Sequence, residues 1–233
     1  MGLIRFENVL KEYKVGKSAV KAVDHISFDI DEGKLTVILG PSGSGKSTTL
    51  NLLGGMDRAT DGKIMIDGSD ITQYSDRKLT YYRREDVGFV FQFYNLIPTL
   101  NAYENVDVSR RLGREPMDAL EALKAVGLEK RRKHFPSNMS GGELQRVSIA
   151  RAICKNPKVL LCDEPTGALD SETGRMILEL LQKMSWEKKK TVIIVTHNAA
   201  IADMADKVIR MKDGHIVEEK KNKNPLPVEK VVW

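Results

Sequence analysis

The chain has 233 residues, 41% hydrophobic and 30% charged, and its net charge of +5 comes from 37 Lys and Arg against 32 Asp and Glu. This length favours one core carrying a smaller inserted subdomain over two independent domains. The basic residues occur in short scattered runs typical of solvated surfaces, so no dedicated nucleic-acid-binding stripe is predicted. The two cysteines lack metal-ligand spacing, which argues against a thiolate metal centre.

The N-terminus gives no sign of export. Residues 1–9 alternate polar and apolar side chains and include Arg5 and Glu7, unlike a signal peptide. No apolar run approaches the ~20 residues that a helix needs to cross a bilayer. We therefore expect a cytoplasmic chain without a transmembrane segment of its own, which reaches any membrane through a partner.

Short apolar segments recur along the chain and predict β-strands, because they alternate with polar residues or form continuous β-branched runs. These segments are residues 3–9, 26–30, 34–39, 63–67, 87–91, 159–162, 191–195 and 208–211. A helix is predicted from about Lys46, and Ile177, Leu181 and Met184 share one face of another. This alternation predicts an α/β fold with a mostly parallel sheet and helices on its faces.

One part of the chain differs in character from the rest. Residues 93–156 lack β-branched runs, and Met117, Leu120 and Leu123 have helical spacing. We predict that this region is an inserted α-helical subdomain.

The remaining residues divide into a core and a tail. We expect residues 1–92 and 157–217 to form the α/β core. Residues 218–233 are polar and contain Pro225 and Pro227, so a poorly ordered tail is expected there.

A glycine-rich segment after the third predicted strand carries the strongest functional signal. Residues 40–47 match the phosphate-binding pattern G-x-x-x-x-G-K-[ST] at every fixed position, between a predicted strand and a predicted helix. Backbone N–H groups of such a loop, with the helix N-terminus, bind phosphates. We predict that ATP binds through Gly40, Pro41, Ser42, Gly43, Ser44, Gly45, Lys46, Ser47 and Thr48. Lys46 would contact the β- and γ-phosphates, and the Ser47 hydroxyl would bind Mg²⁺.

Two acids follow the strand predicted at 159–162. Asp163 and Glu164 lie at the carboxyl edge of the sheet, where ligands of open α/β sheets bind. We predict that Asp163 belongs to the Mg²⁺ site and that Glu164 deprotonates the attacking water. The alternative, two solvated acids at a strand end, is disfavoured by the phosphate loop beside them.

A second helix start carries glycines. Residues 139–146 read Met-Ser-Gly-Gly-Glu-Leu-Gln-Arg, in which Ser140 is a natural N-cap. An ordinary capped helix is the alternative, but the segment resembles the signature motif of ATP-binding cassette (ABC) transporter ATPases, usually Leu-Ser-Gly-Gly-Gln. Met139 and Glu143 depart from that motif, and Glu143 would place an acid near the nucleotide.

The resemblance extends over about residues 3–217, with further motifs in the family's order. Gln92 resembles the Q-loop glutamine, Ala168-Leu169-Asp170 the D-loop, His197 the switch histidine, and Tyr13 the aromatic residue that stacks on adenine. Each of these residues alone is a weak signal, and their shared order carries the argument.

The resemblance implies a fold and a mechanism. The fold is that of a RecA-like P-loop NTPase with an antiparallel β edge and an inserted helical subdomain. Residues 1–92 and 157–217 would be the nucleotide-binding core. Two chains would form a head-to-tail homodimer that closes when ATP binds and opens after hydrolysis, which would use catalytic Lys46, Gln92, Glu164 and His197. Mg²⁺ would be held by Ser47, Gln92 and Asp163, and Gln92 would also report the nucleotide state to the helical subdomain. The trans residues of the signature and D-loop would complete the partner's site: Ser140, Gly141 and Gly142 would act on its nucleotide, Glu143 would lie near that nucleotide, and Asp170 would also reach across the interface.

The resemblance also suggests which ABC system the chain serves. Residues 51–57, 88–96 and 166–171 resemble the group that acts in lipoprotein release, macrolide efflux and antimicrobial-peptide resistance, in which the partner is an integral membrane permease. Four apolar residues after the Q-loop would line the groove for this permease or else serve the subdomain core: Leu96, Ile97, Pro98 and Leu100. The alternatives are a cell-division-type ABC ATPase that signals across the membrane without transport, a soluble ABC ATPase of DNA repair or translation, and a nucleotide-gated binding module without turnover.

Overall fold

Strands and helices alternate in the computed structural model, which describes residues 2–16, 18–167 and 169–231. The strands are β1 (Ile4–Val15), β2 (Ser18–Ile30), β3 (Leu35–Leu39), β4 (Asp61–Ile66), β5 (Ser69–Asp70), β6 (Val87–Val90), β7 (Val159–Asp163), β8 (Thr191–Thr196), β9 (Lys207–Lys212) and β10 (His215–Lys221). The helices are α1 (Lys46–Leu53), α2 (Asp76–Glu85), α3 (Ala102–Arg110), α4 (Ala119–Ala125), α5 (Gly141–Cys154) and α6 (Ser171–Trp186). Each predicted strand overlaps an observed one, whereas α2, β5 and β10 were not predicted.

A six-stranded sheet in the order β10-β9-β3-β8-β7-β6 forms the centre of the molecule. The strands from β9 to β6 are parallel, and β10 pairs antiparallel with β9 at the edge. The predicted α/β class and mostly parallel sheet are therefore confirmed. Strands β3 and β8 are buried along their whole length, which explains why they read as continuous apolar runs.

The other strands form a separate antiparallel sheet in the order β2-β1-β4-β5. β1 and β2 make a long hairpin in which Tyr13 pairs with Val20. The sequence prediction ended the first strand at Val9 and began the second at Ile26, because the outer part of this hairpin is polar. Cross-strand hydrogen bonds extend both strands into solvent despite that composition.

Two hydrophobic cores lie on opposite faces of the six-stranded sheet, because successive side chains of a strand point to opposite faces. On β3, Val37 packs with α5 and α6, whereas Ile38 packs with α1 and the antiparallel sheet. Both cores hold the carboxyl ends of β3, β7 and β8 at one edge, and the candidate site lies at that edge.

Helices α3, α4 and α5 pack against one another and form a helical subdomain. Asn105 of α3 is buried, and its side-chain amide donates to the carbonyls of Ile97, Leu100 and Asn101 while its Oδ1 accepts from the Ile97 N–H. The segment that precedes α3 is thereby fixed from inside the subdomain. The limits proposed for this subdomain, residues 93 and 156, stay a prediction.

The C-terminal segment is ordered, so the expectation of a poorly ordered tail is wrong for the part that the structure describes. Residues 218–221 belong to β10, and Val228 and Val231 are buried in the core. Val232 and Trp233 lie outside the described residues.

A glutamine of α6 contributes two of the hydrogen bonds that hold this segment in place. Gln182 is buried, its Nε2 donates to the carbonyl of Leu226 at 2.8 Å, and its Oε1 accepts from the Val228 N–H at 3.2 Å. Polar composition alone predicted disorder because it does not reveal such a partner at a distance in sequence.

Among the described residues, no helix is both long enough and apolar enough to cross a membrane. Cys154 and Cys162 are buried free thiols, and burial raises the pKa of Cys154 to about 11. Cys162 lies in the core, where it packs as a small hydrophobic side chain.

Candidate active site

The phosphate loop connects β3 to α1 and leaves the first turn of that helix open. Gly45 is the N-cap of α1 with φ of 96°, and no side chain caps the helix. A Cβ at Gly45 would lie 2.2 Å from the carbonyl oxygen of Ala22, so glycine is required by packing as well as by conformation. The free N–H groups of this turn are donors for an anion.

Lys46 is the first residue of α1, and its side chain folds back onto the phosphate loop. The residue is only 7% exposed, and its Nζ donates to the carbonyl of Pro41 at 2.8 Å. Burial lowers the pKa of Lys46, and the nearby carboxylates of Glu164 and Asp163 oppose that shift. The ammonium is thus already positioned where a phosphate can replace the carbonyl as its partner.

Asp163 and Ser47 meet across the gap between β7 and α1. The Ser47 hydroxyl donates to Asp163 Oδ1 at 3.1 Å. Burial raises the pKa of Asp163, with a further rise from Glu164, while the Ser47 hydrogen bond and Lys46 act against it. A hydroxyl and a carboxylate oxygen side by side are ligands that suit Mg²⁺, which uses one or two protein oxygens together with phosphates.

Glu164 is held rigidly beside Asp163. Its backbone has φ of 46°, a left-handed conformation that a non-glycine residue adopts only when its surroundings stabilise it. The carboxylate accepts from the Thr196 hydroxyl at 2.9 Å and from the His197 N–H at 3.0 Å. The His197 Nδ1 also lies 2.8 Å from Glu164 Oε1. Glu164 and His197 therefore act as one hydrogen-bonded unit at the ends of β7 and β8.

These groups surround one pocket of about 730 Å³. Its lining is Ala22, Pro41, Ser42, Gly43, Gly45, Lys46, Ser47, Thr48, Gln92, Asp163, Glu164, Gly167 and His197. Gly40 and Ser44, although predicted to bind ATP, lie behind the loop. A Cβ at Gly40 would lie 2.3 Å from the Met211 carbonyl, and Ser44 is buried, so both residues pack the loop against the core.

Tyr13 lies outside this lining, on the hairpin strand β1. It is 39% exposed, its hydroxyl donates to Asp57 Oδ2 at 2.6 Å, and Lys11 Nζ lies 4.7 Å from its ring centroid. Burial and the Asp57 carboxylate raise the pKa of Tyr13. The ring is thus fixed by Asp57 and Lys11, and its predicted stacking on adenine stays a prediction.

The second glycine-rich helix start has a different construction. Ser140 Oγ accepts from the Glu143 N–H at 3.3 Å, and Glu143 Oε2 accepts from the Ser140 N–H at 2.9 Å, which forms a capping box at the start of α5. Arg131 Nε lies 2.9 Å from Glu143 Oε1, and these contacts lower the pKa of Glu143, the Ser140 backbone bond most strongly. The carboxylate of Glu143, which departs from the usual motif, therefore bonds to groups of its own chain.

The signature segment also contacts the start of α6. A Cβ at Gly142 would lie 2.4 Å from Cγ2 of Thr173, so only glycine fits there. Asp170 caps α6 by accepting from the Thr173 N–H at 2.9 Å. The predicted D-loop residue Ala168 lies outside the described residues. None of the five predicted trans residues lines the nucleotide pocket of its own chain.

Comparison with known proteins identifies the family. The profile of the family described as ABC transporter matches residues 23–167. An uncharacterized ABC transporter ATP-binding protein of Methanocaldococcus jannaschii, MJ0796, is 45% identical over 228 residues, 94% of this chain and 97% of that protein. The chain belongs to the ABC transporter family, as an ATP-binding subunit. The macrolide export ATP-binding/permease protein MacB of Brucella melitensis is 43% identical over 222 residues, 93% of this chain and 34% of that protein.

Solved structures show that the likeness extends to the fold of an ABC ATPase. A dimeric structure of MJ0796 in a post-hydrolysis state, bound to ADP and Pi, matches with a TM-score of 0.89 at 43% identity, over 95% of this chain and 99% of that one. The structure of cbiO1 from Clostridium perfringens, part of the ABC transporter complex cbiONQ, matches with a TM-score of 0.83 at 30% identity, over 94% of this chain and 88% of that one.

Sequence reasoning missed several residues that shape the site of this ABC ATPase. Thr196 holds the Glu164 carboxylate, and Ala22 and Gly167 line the pocket. Thr196 directly precedes His197, so its position beside the predicted switch histidine was an available signal. Ala22 gives no such signal, because it is brought to the loop by the hairpin from a distant part of the sequence.

Proposed function

We propose that two copies of this chain pair head to tail around ATP and that their closing and opening drive a separate membrane permease. The observation that carries the proposal is the separation of the two glycine-rich helix starts. Lys46, Asp163 and Glu164 meet in one pocket, whereas Ser140 and Gly142 are absent from its lining. A site that needs both helix starts has to be completed by a second chain.

The residues of the pocket would divide the chemistry among them. Lys46 and the open first turn of α1 would bind the β- and γ-phosphates. Ser47, Asp163 and Gln92 would hold Mg²⁺, which supplies positive charge to the phosphate oxygens when it is bound.

Glu164 is the group proposed to orient and deprotonate the attacking water. Thr196 and the His197 N–H fix its carboxylate, which removes the freedom that would otherwise have to be lost in the transition state. His197, bonded to the same carboxylate through Nδ1, would place its other ring nitrogen toward the γ-phosphate.

The partner's helix start would close the site. The capping box leaves the N–H groups of Gly141 and Gly142 available at the N-terminus of α5. Ser140, which accepts a hydrogen bond from Glu143, retains its hydroxyl proton for a phosphate oxygen. Glu143 and Asp170 would orient these groups rather than contact the phosphates.

A groove beside the helical subdomain is the proposed permease site. It has a volume of about 330 Å³, and its lining includes Phe89, Phe91, Ile97 and Val108. Ile97 is 43% exposed and lines the groove, whereas Leu96 packs against the core, so these two of the four apolar residues after the Q-loop differ in role. Docking there would place the chain on the inner face of the membrane, in a system of the lipoprotein-release or macrolide-efflux type.

The test of hydrolysis uses Glu164→Gln, with Glu121→Gln on the exposed face of α4 as the matched control. We expect phosphate release to fall by ~10²–10⁴ because the general base is lost, while ATP binding persists and ATP drives a stable dimer in sedimentation. A Glu164→Gln chain that hydrolyses ATP at the parent rate removes Glu164 from this role.

The test of permease docking uses Ile97→Asp in the Glu164→Gln background, with Val20→Asp on the exposed hairpin as its control. Tagged chains are recovered with ATP from detergent-solubilised membranes of the host. We expect a stoichiometric membrane protein with Val20→Asp and its loss with Ile97→Asp. Equal recovery with both variants contradicts the groove.

A further inference from the structure

An arginine of α5, the helix that begins in the signature segment, hydrogen-bonds to the segment that follows Gln92. Arg151 lies on α5, and its Nη2 donates to the carbonyl of Tyr94 at 2.8 Å while its Nη1 donates to the carbonyl of Asn95. A guanidinium presents parallel donors in a fixed fork, so two consecutive carbonyls are held in one orientation.

The gripped segment has a backbone that needs such support. Tyr94 and Asn95 have φ of 39° and 51°, so two consecutive non-glycine residues are left-handed. A non-glycine residue in this conformation is strained and persists only where surrounding contacts hold it. Arg151 supplies these contacts through the carbonyl of each residue.

The side chain of Tyr94 also lies near the N-terminus of α5. The Tyr94 hydroxyl lies where it would be 3.0 Å from a Cβ on Gly141. Residues 94–95 therefore bond to α5 at Arg151, and the Tyr94 side chain lies close to the first turn of that helix. Within the part of the chain that the structure describes, Arg151 forms no ion pair, so its charge is directed at these carbonyls.

We propose that Arg151 is a positioning residue that couples Gln92 to Ser140, so that nucleotide contact at the Q-loop orients the signature helix for the partner's ATP. The proposal rests on the proposed function, hydrolysis by paired chains. Gln92 lines the nucleotide pocket, and the two carbonyls bonded to Arg151 belong to the second and third residues after it. A shift of Gln92 toward nucleotide moves residues 94–95, and the guanidinium transmits that shift to α5. The coupling is thus a contact through a rigid helix rather than a direct role at the phosphates.

The experiment compares Arg151→Met and Arg151→Lys with Arg84→Met, a matched control whose guanidinium donates to the carbonyl of Leu112 at 3.0 Å, away from the Q-loop. ATP affinity is measured by titration with labelled ATP, and kcat by phosphate release. For Arg151→Met we expect unchanged affinity and a fall in kcat of roughly 5- to 30-fold, the range of such couplings. Arg151→Lys is expected to lie between, because an ammonium keeps the charge but not the fork.

Several outcomes overturn the proposal, and they differ from failure of the proposed function. Arg151→Met with parent kcat shows that the grip is not used, as does full activity in Arg151→Lys. Equal losses in Arg151→Met and Arg84→Met show a general structural effect. A parent chain without ATPase activity instead contradicts the proposed function.

A second measurement keeps the proposal testable if Arg151→Met does not fold. In the Glu164→Gln background, Arg151→Lys should bind ATP like its parent yet require more ATP to form the sedimenting dimer. An ATP dependence of dimer formation identical to that of Glu164→Gln alone overturns the coupling.

Discussion

The two glycine-rich helix starts of this ABC ATPase are built in opposite ways. At α1, the N-cap is Gly45, no side chain occupies the first turn, and Lys46 is buried beside it. At α5, Ser140 and Glu143 cap one another, and Arg131 neutralises the acid. The first turn of α1 is therefore open to an anion. At α5, the capping box already satisfies some of the N–H groups, and the remaining N–H groups of the first turn face outward.

This difference teaches what each helix start can do alone. The first is suited to bind phosphate, because its backbone donors and the Lys46 ammonium converge on one pocket. The second keeps its geometry without a ligand, because the capping box fixes Ser140 in advance. A preformed, outward-facing surface is suited to close on a partner's bound nucleotide.

The largest effect should follow from removing the cation at α1. Lys46→Ala is expected to weaken ATP binding by roughly ten- to a hundredfold, the value of a charge-assisted hydrogen bond. Titration with labelled ATP measures it, with the exposed Lys63→Ala as control. Equal ATP affinity of the Lys46→Ala and Lys63→Ala chains would show that the cation at the start of α1 does not bind phosphate.

A clash at the second helix start should disturb the dimer but not the first pocket. Gly142→Ala places a methyl group 2.4 Å from Thr173 Cγ2, and overpacking of this kind costs ~1–3 kcal/mol. We expect weaker ATP-driven dimerisation with unchanged ATP affinity of the single chain. Thr173→Ser removes the clashing methyl, so the double variant should recover dimerisation. Failure of that rescue would mean that Gly142 matters for its contact with the partner alone.

The capping box itself should contribute less. Glu143→Ala is expected to lower the free energy of unfolding by ~1 kcal/mol, since the Ser140 N–H loses its side-chain acceptor while the bond from the Glu143 N–H to Ser140 Oγ remains. Glu143→Gln keeps the box and loses mainly the exposed Arg131 pair, so its cost should stay below ~1 kcal/mol. Urea denaturation of the three chains measures the difference, and an equal loss in both variants would assign the effect to charge instead.

A pH dependence distinguishes the pocket at α1 from the exposed signature. Because burial raises the pKa of Asp163, the folded chain holds this proton to higher pH than the unfolded chain does. The resulting stability is fully present below the ordinary Asp pKa and is lost as pH rises through the raised value. The unfolding free energy of the parent, relative to Asp163→Asn, should therefore fall slightly across that window. A rise would mean that hydrogen bonds to the carboxylate outweigh burial.

The sequence predicted the parts of the molecule that follow local patterns. The strands β3, β7 and β8 were found because strands covered on both faces are continuous apolar runs, and the phosphate loop because its fixed residues follow directly from its chemistry. The outer hairpin, β10 and the docked C-terminal segment were missed. These depend on long-range partners such as Gln182, which composition does not reveal.

The candidate site shows the same division. Lys46, Asp163, Glu164 and His197 belong to recognisable motifs, and the structure brings them into one pocket. The contacts of Arg151 could not be predicted, because they require the left-handed turn at residues 94–95. Such a turn is set by tertiary packing rather than by its own sequence.

Mixing two inactive variants tests the central claim, that each site is completed by a second chain. Lys46→Ala removes the cation of the phosphate loop, and Gly141→Asp puts a carboxylate at the signature, where the nearest atom to a new Cβ is the Tyr94 hydroxyl at the end of a side chain. The account predicts that each variant alone lacks ATPase activity and that the mixture regains it, because mixed dimers contain one intact loop facing one intact signature. A mixture no more active than its separate components would contradict the account.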